Sequence, residues 1–209
     1  MMMEALGSLV ALFGLLLVSQ LSPGPDVFFV FRVALAQGFR AGVMVGSGIA
    51  AGFLIQASLV AWGGGWLMAQ PWSQWVLYVA TAWLLYLAWR IFPRRRVQVQ
   101  QGELETSARE ALAVLFVRGF LCNILNLKCT LFICGLSLAP LEQFGRVYVW
   151  YAPVLVLVLS GACLVGWVMW SALLQWSPVR GFYLRHTTEI DALFALLLAA
   201  FAVLLVVQV

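Results

Sequence analysis

Long apolar runs alternate with short polar gaps along this chain, and that pattern alone restricts it to a bundle of membrane-crossing helices. A helix needs ~20 mostly apolar residues to cross the hydrocarbon core. Only helices and closed barrels can cross it with every backbone group satisfied. Six runs have the required character, at about residues 5–21, 41–62, 66–92, 112–138, 147–176 and 191–207. One extended polar segment, residues 93–111, interrupts them, and most of it reads "PRRRVQVQQGELETSARE". Composition points the same way. Of 209 residues, 64% are hydrophobic and 10% charged, whereas soluble domains are about 45–50% apolar and about 25% charged.

The expected fold is therefore an all-α integral membrane protein in a single membrane domain, residues 1–209. The polar loop divides it into half 1 (1–92) and half 2 (112–209), each with three runs. An odd number of spans per half makes two similar halves inverted relative to one another, a common plan among secondary transporters. In that plan interrupted helices form the substrate site between the repeats. Six transmembrane helices in two inverted three-helix halves, with the first and fourth interrupted, are the architecture this predicts.

The net charge of +4 is not a nucleic-acid footprint, because the basic residues sit in gaps between apolar runs. Arg94, Arg95, Arg96 and Arg109 place the 93–111 loop in the cytoplasm by the positive-inside rule. Arg32, Arg40, Arg180 and Arg185 then fall on the same side, leaving Arg146 opposite and both termini outward. Residues 22–40 are mostly apolar for a loop and suit a segment that dips back into the membrane. The first run lacks the basic n-region of a signal peptide. Cys122, Cys129, Cys134 and Cys163 all lie in apolar runs, which argues against a disulfide framework.

The stretch "LSPGPD", residues 21–26, breaks the chain just after the first run and introduces a carboxylate. Two readings stand. The prolines make a turn at the membrane surface, with Asp26 solvated. Alternatively Pro25 opens a half-helix capped by Ser22 or Gly24, whose free amides and positive dipole end can hold an anion. The matching interruption in the fourth run is "CNILNLKCTLF", residues 122–132, where Asn123, Asn126 and Lys128 interrupt apolar sequence. An ionisable residue at membrane depth marks a functional site and needs a partner, and Asp26 and Lys128 are the natural pair.

Gly38, Gly42 and Gly46 recur at spacing four, with Gly48 and Gly52 on a neighbouring face, and predict close packing against the first or fourth helix. Gln56 and Thr81 are expected to bond backbone carbonyls. His186 is expected in solvent beside Arg185, and tryptophans near run ends are expected to be interfacial anchors. The sixth run, nearly polar-free from Ala192 to Val207, suits lipid or a second subunit, so a homodimer stays open.

The stretch from Leu21 to Gly52 resembles the first signature of the LysE/RhtB family of amino-acid exporters through Pro23, Gly24, Pro25, Asp26, Gly38, Arg40, Gly42 and Gly46. "FVRGFLCNILNLKCTLF" resembles the second, through Gly119, Asn123, Asn126 and Lys128, with Leu127 where the family usually has proline. A break in the fourth helix is correspondingly less forced. The resemblance implies a multi-pass protein of the bacterial inner membrane, exporting amino acids or related zwitterionic metabolites and driven by the proton motive force. It implies a substrate site of Pro23, Gly24, Pro25, Asp26, Asn123, Asn126 and Lys128, with the lipid bilayer and a small molecule as partners. No catalytic residue, cofactor, metal or nucleic acid enters this reading. Two other classes compete. A membrane thiol oxidoreductase would use Cys122 and Cys129, and a metal-cation exporter would use thiols and carboxylates, which suit soft or divalent cations.

Overall fold

The computed structural model describes residues 1–20, 24–68 and 111–186, with isolated positions between 75 and 89 and between 188 and 203. The described residues are helical wherever they are regular. Helix α1, Met2–Ser19, buries a single stripe of Ala5, Leu9, Leu12 and Leu16. Their spacing of four, three and four residues places them on one face, and that face packs on the fifth-run helix. Val10, Leu15 and Val18 remain exposed, as lipid-facing positions can be.

The mostly apolar gap of 22–40 is largely helical. Helix α2, Pro25–Gln37, has Pro at its first position, where the missing amide costs nothing. It packs against α3, Phe39–Met68, and against the fourth- and fifth-run helices. Gly38 joins α2 to α3 at φ 91°, a left-handed conformation that side chains other than glycine's rarely adopt. The chain thus reverses within one residue, and Asp26 at the start of α2 is carried into the protein interior.

The fourth run is two helices, α4 (Leu112–Ile124) and α5 (Leu127–Pro140), bent by 63° at the junction. A π-helical turn, Leu141–Gly145, follows α5. The fifth run is α6, Tyr151–Leu173, and α7, Ser177–Arg185, follows it. Helix α3 is the centre of the bundle and packs most extensively on α4 and α6.

The break after Ile124 occurs without a proline. Gln56 of α3 explains how it is held: its Nε2 donates to Asn123 O at 2.8 Å and to Ile124 O at 3.3 Å. These are carbonyls at the end of α4, where intrahelical partners run out. Leu127 in place of proline therefore leaves the interruption in place. The expected carbonyl bond of Gln56 is found, whereas the buried Thr81 hydroxyl has no partner among the described residues.

Three glutamine amides act in the same way. Gln20, just past α1, donates to Cys163 O on α6 at 2.8 Å. Gln175, just past α6, donates to Ala34 O on α2 at 3.2 Å. Gln20 and Gln175 each tie the chain just past one helix to a neighbouring helix, at carbonyls inside that helix rather than at a break.

The glycine faces of α3 divide their work. A Cβ on Gly48 would strike Phe116 O, and one on Gly52 would lie 3.1 Å from Phe120 O, both on α4. A Cβ on Gly42 or Gly46 would meet Ser171 at 2.7 Å or Trp167 at 2.5 Å on α6. The expected packing on the fourth helix thus holds for one face. The other face packs on the fifth-run helix instead of the first.

Three helices among the described residues are long and apolar enough to cross a membrane: Met2–Ser19, Phe39–Gly64 and Tyr151–Leu173. The bent pair of α4 and α5 makes a fourth if it is one span. The third and sixth expected spans and the 93–111 loop lie largely outside the described residues, as do Ser22 and Pro23. His186 is exposed, its ring tilted at 40° against Phe182 with centroids 4.7 Å apart, and Trp62, Trp66, Trp89 and Trp176 are exposed near run ends.

Candidate functional site

The two breaks meet. Helices α2 and α5 both begin inside the bundle, and each has a charged residue in its first turn, Asp26 and Lys128. Asp26 is 8% exposed and Asn123 not at all, so the carboxylate lies in the protein interior. Asn123 Nδ2 donates to Asp26 Oδ2 at 2.8 Å, and Cys122 Sγ donates to Oδ1 at 3.4 Å. Asn126 also hydrogen-bonds the carboxylate, and the charge of Lys128 acts on it. Asn123 Nδ2 also approaches Cys129 Sγ at 3.3 Å.

Lys128 lies against the first break. A methyl group at Gly24 would be 3.3 Å from both its Cδ and its Nζ. Glycine there lets the lysine stem pass close to the backbone that leads into α2. Gly24 itself is extended, with φ 175°, so the requirement is one of space.

The electrostatics are asymmetric. Asp26 is well placed at the positive end of α2. Lys128, in the first turn of α5, has its charge at the end of a helix dipole that disfavours cations. One carboxylate thus faces one ammonium and two positive helix ends, leaving room for a second anion. Acceptors are also available: Asn123 Oδ1 and Asn126 Oδ1 are buried with no hydrogen-bond partner among the described residues. A buried acceptor without a partner is costly, and a ligand N–H group could supply one.

Of the residues expected from sequence, Gly24, Asp26, Asn123, Asn126 and Lys128 come together here, with Pro25 at the head of α2. Pro23 lies outside the described residues. Sequence reasoning did not assign Gln56, which holds the break, or Cys122 and Cys129 as partners of the polar cluster. A lone glutamine inside an apolar run is a readable signal for the first. Only the fold brings the thiols to Asp26. The four cysteines are free, and no group of three metal-ligating residues occurs among the described residues.

Comparison with known proteins supplies a context for this geometry. The sequence model of the family described as LysE type translocator matches residues 17–209. An uncharacterized membrane protein of Escherichia coli K12, YahN, is 26% identical over 99% of this chain and 92% of its own. The threonine efflux proteins of E. coli K12 and of E. coli O157:H7 are each 25% identical over 92% of this chain and 94% of their own. No solved structure matches the chain.

Proposed function

We propose, from the premise that the chain belongs to the LysE type translocator family, that this multi-pass membrane transporter exports amino acids or closely related zwitterions. Export across a bacterial inner membrane, driven by the proton motive force, completes the reading. The supporting observation is the meeting of the two helix breaks at Asp26 and Lys128 beside two asparagine oxygens that have no partner among the described residues. The substrate carboxylate would lie near Lys128 and the first amides of α2 and α5. Its ammonium would lie near Asp26 and the asparagine acceptors. Pre-formed polar groups at a helix interruption suit this task, since unwound backbone and half-helix ends can replace part of the substrate's water shell. Two E. coli relatives are named as threonine efflux proteins, which makes threonine the first compound to try.

Purified protein in liposomes loaded with labelled threonine should give saturable efflux that depends on an imposed proton gradient and competes with other zwitterionic amino acids. Absence of transport for every amino acid tried, by protein that is monodisperse in detergent, would overturn the reading.

One observation favours a second class. Cys122 and Cys129 both touch the polar cluster, as a thiol relay would require. Replacing all four cysteines with serine separates the two. An exporter should retain measurable, saturable efflux, because serine at 122 still offers a donor to Asp26. A thiol oxidoreductase would lose all activity.

A further inference from the structure

Arg118 is a charge inside an apolar helix that the site described above does not use. It lies six residues into α4, about 9 Å along the axis from Leu112. A cation inside an apolar helix is costly and marks a residue that has a partner, a task or a route to the headgroups. Its guanidinium carbon sits over the Phe29 ring of α2, 5.4 Å from the centroid, which fixes the charge at the seam between α2 and α4. Both helices carry the seam on to the site. Cys122 follows Arg118 by four residues on the same face of α4, and Phe29 follows Asp26 by three on the same face of α2. Cys122 and Asp26 then touch, Sγ to Oδ1 at 3.4 Å. Arg118 over Phe29 therefore stands about one helical turn from the polar cluster, on the side of residue 111. Arg118 is exposed and Cys122 partly so, so the Arg118 end of the seam lies at the protein surface.

We propose that Arg118, held over Phe29, recruits the anionic group of the substrate into the α2–α4 seam and hands it toward Lys128. The proposal rests on the reading of the protein as an exporter of a carboxylate-bearing substrate. It makes Arg118 a specificity-determining residue on the approach, distinct from the groups around Asp26. Sequence reading puts residue 111 on the cytoplasmic side, so an exporter would load there.

The natural thiol of Cys122 reports on the seam without any transport assay. Inside-out and right-side-out vesicles holding the full-length protein are treated with small methanethiosulfonates bearing either a sulfonate or a trimethylammonium. Labelling of Cys122 is read by peptide mass spectrometry. Arg118 should raise the ratio of sulfonate to trimethylammonium labelling about tenfold over its value in Arg118→Gln, the low end of what charge focusing in a cleft produces; the Asp26 carboxylate 3.4 Å from Sγ biases both proteins alike toward the cation. It should do so in only one vesicle orientation. Arg118→Lys should keep most of that increase and Phe29→Leu should lose part of it. Raising ionic strength in the unmodified protein should shrink the preference too, as the Debye length falls from ~30 Å at 0.01 M to ~3 Å at 1 M. That arm needs no substitution to fold. A charge preference unaffected by salt and by Arg118→Gln, or failure of both reagents to reach Cys122 from either side, overturns the proposal. Either result would leave Arg118 a headgroup anchor. Because no amino acid enters the labelling, its outcome stands apart from whether threonine is carried.

Discussion

Asp26→Asn and Lys128→Met, made singly, should each abolish efflux and lower the thermal midpoint of the detergent-purified protein. Together they should restore much of the stability and none of the transport. Removing one member of a buried charge pair typically costs ~3–5 kcal/mol. For a chain of this size that corresponds to roughly 10 °C. The two single losses should be unequal. Lys128→Met leaves Asp26 with its donors from Asn123, Cys122 and Asn126. Asp26→Asn removes one acceptor oxygen from three donors and takes the nearby negative charge from the ammonium at the N-terminal end of α5, so it should be the more damaging. The double variant has no lone charge, but a zwitterion entering the site would find neither counter-charge. Strictly additive stability losses would show that the two residues are not partners. A double variant that still transports would remove both from the substrate path.

Gly48→Ala and Gly119→Ala should prevent assembly of the bundle, though each adds a single methyl group. The obstacle in each case is main chain. A Cβ on Gly48 would overlap Phe116 O, and one on Gly119 would overlap Val45 O. No rotamer change can move a carbonyl oxygen out of a helix, so α3 and α4 would have to separate. Overpacking of ordinary cores costs about 1–3 kcal/mol and occasionally more. Here the separation would also break the Gln56 bonds to Asn123 and Ile124 and disturb Asn123 under Asp26. Recovery of monodisperse protein after extraction should fall severely for both variants. Gly135→Ala and Gly161→Ala are the controls, because nothing lies within 4 Å of the added carbon. Those two should match the parent or gain slightly from alanine's helix preference. Normal recovery and melting of Gly48→Ala and Gly119→Ala would show that the helices do not cross as closely as described.

Charges inside apolar runs made half of the candidate site readable in advance. Asp26 and Lys128 stand out because a bilayer leaves so few reasons to keep them. Asn123 and Asn126 stand out because they cluster beside Lys128. The second break was less legible. Its usual marker is absent at Leu127, and the group that holds it sits some 70 residues earlier, at Gln56. A lone glutamine announces an appetite for a carbonyl, but which carbonyl depends on how α3 crosses α4. Glycine spacing had the same limit. It showed that α3 presents two small faces, yet only packing distinguishes the face against α4 from the face against α6. Cys122 and Cys129 were legible only as a possible thiol pair, and their place beside Asp26 comes from the fold. Arg118 has no sequence signal of its own, since its place over Phe29 depends on how α2 crosses α4.

The glutamine at the α4–α5 junction gives that joint a different mechanical character from a proline kink. A proline ring removes a donor and blocks a carbonyl permanently, so the bend it imposes cannot be undone. A bend held by two amide hydrogen bonds from another helix is a reversible catch. Asn123 is held at both ends: its carbonyl takes Gln56 Nε2 of α3 and the Asn126 N–H, and its side chain carries the 2.8 Å bond to Asp26. The position of α3 and the hold on the carboxylate are thereby tied together through one residue.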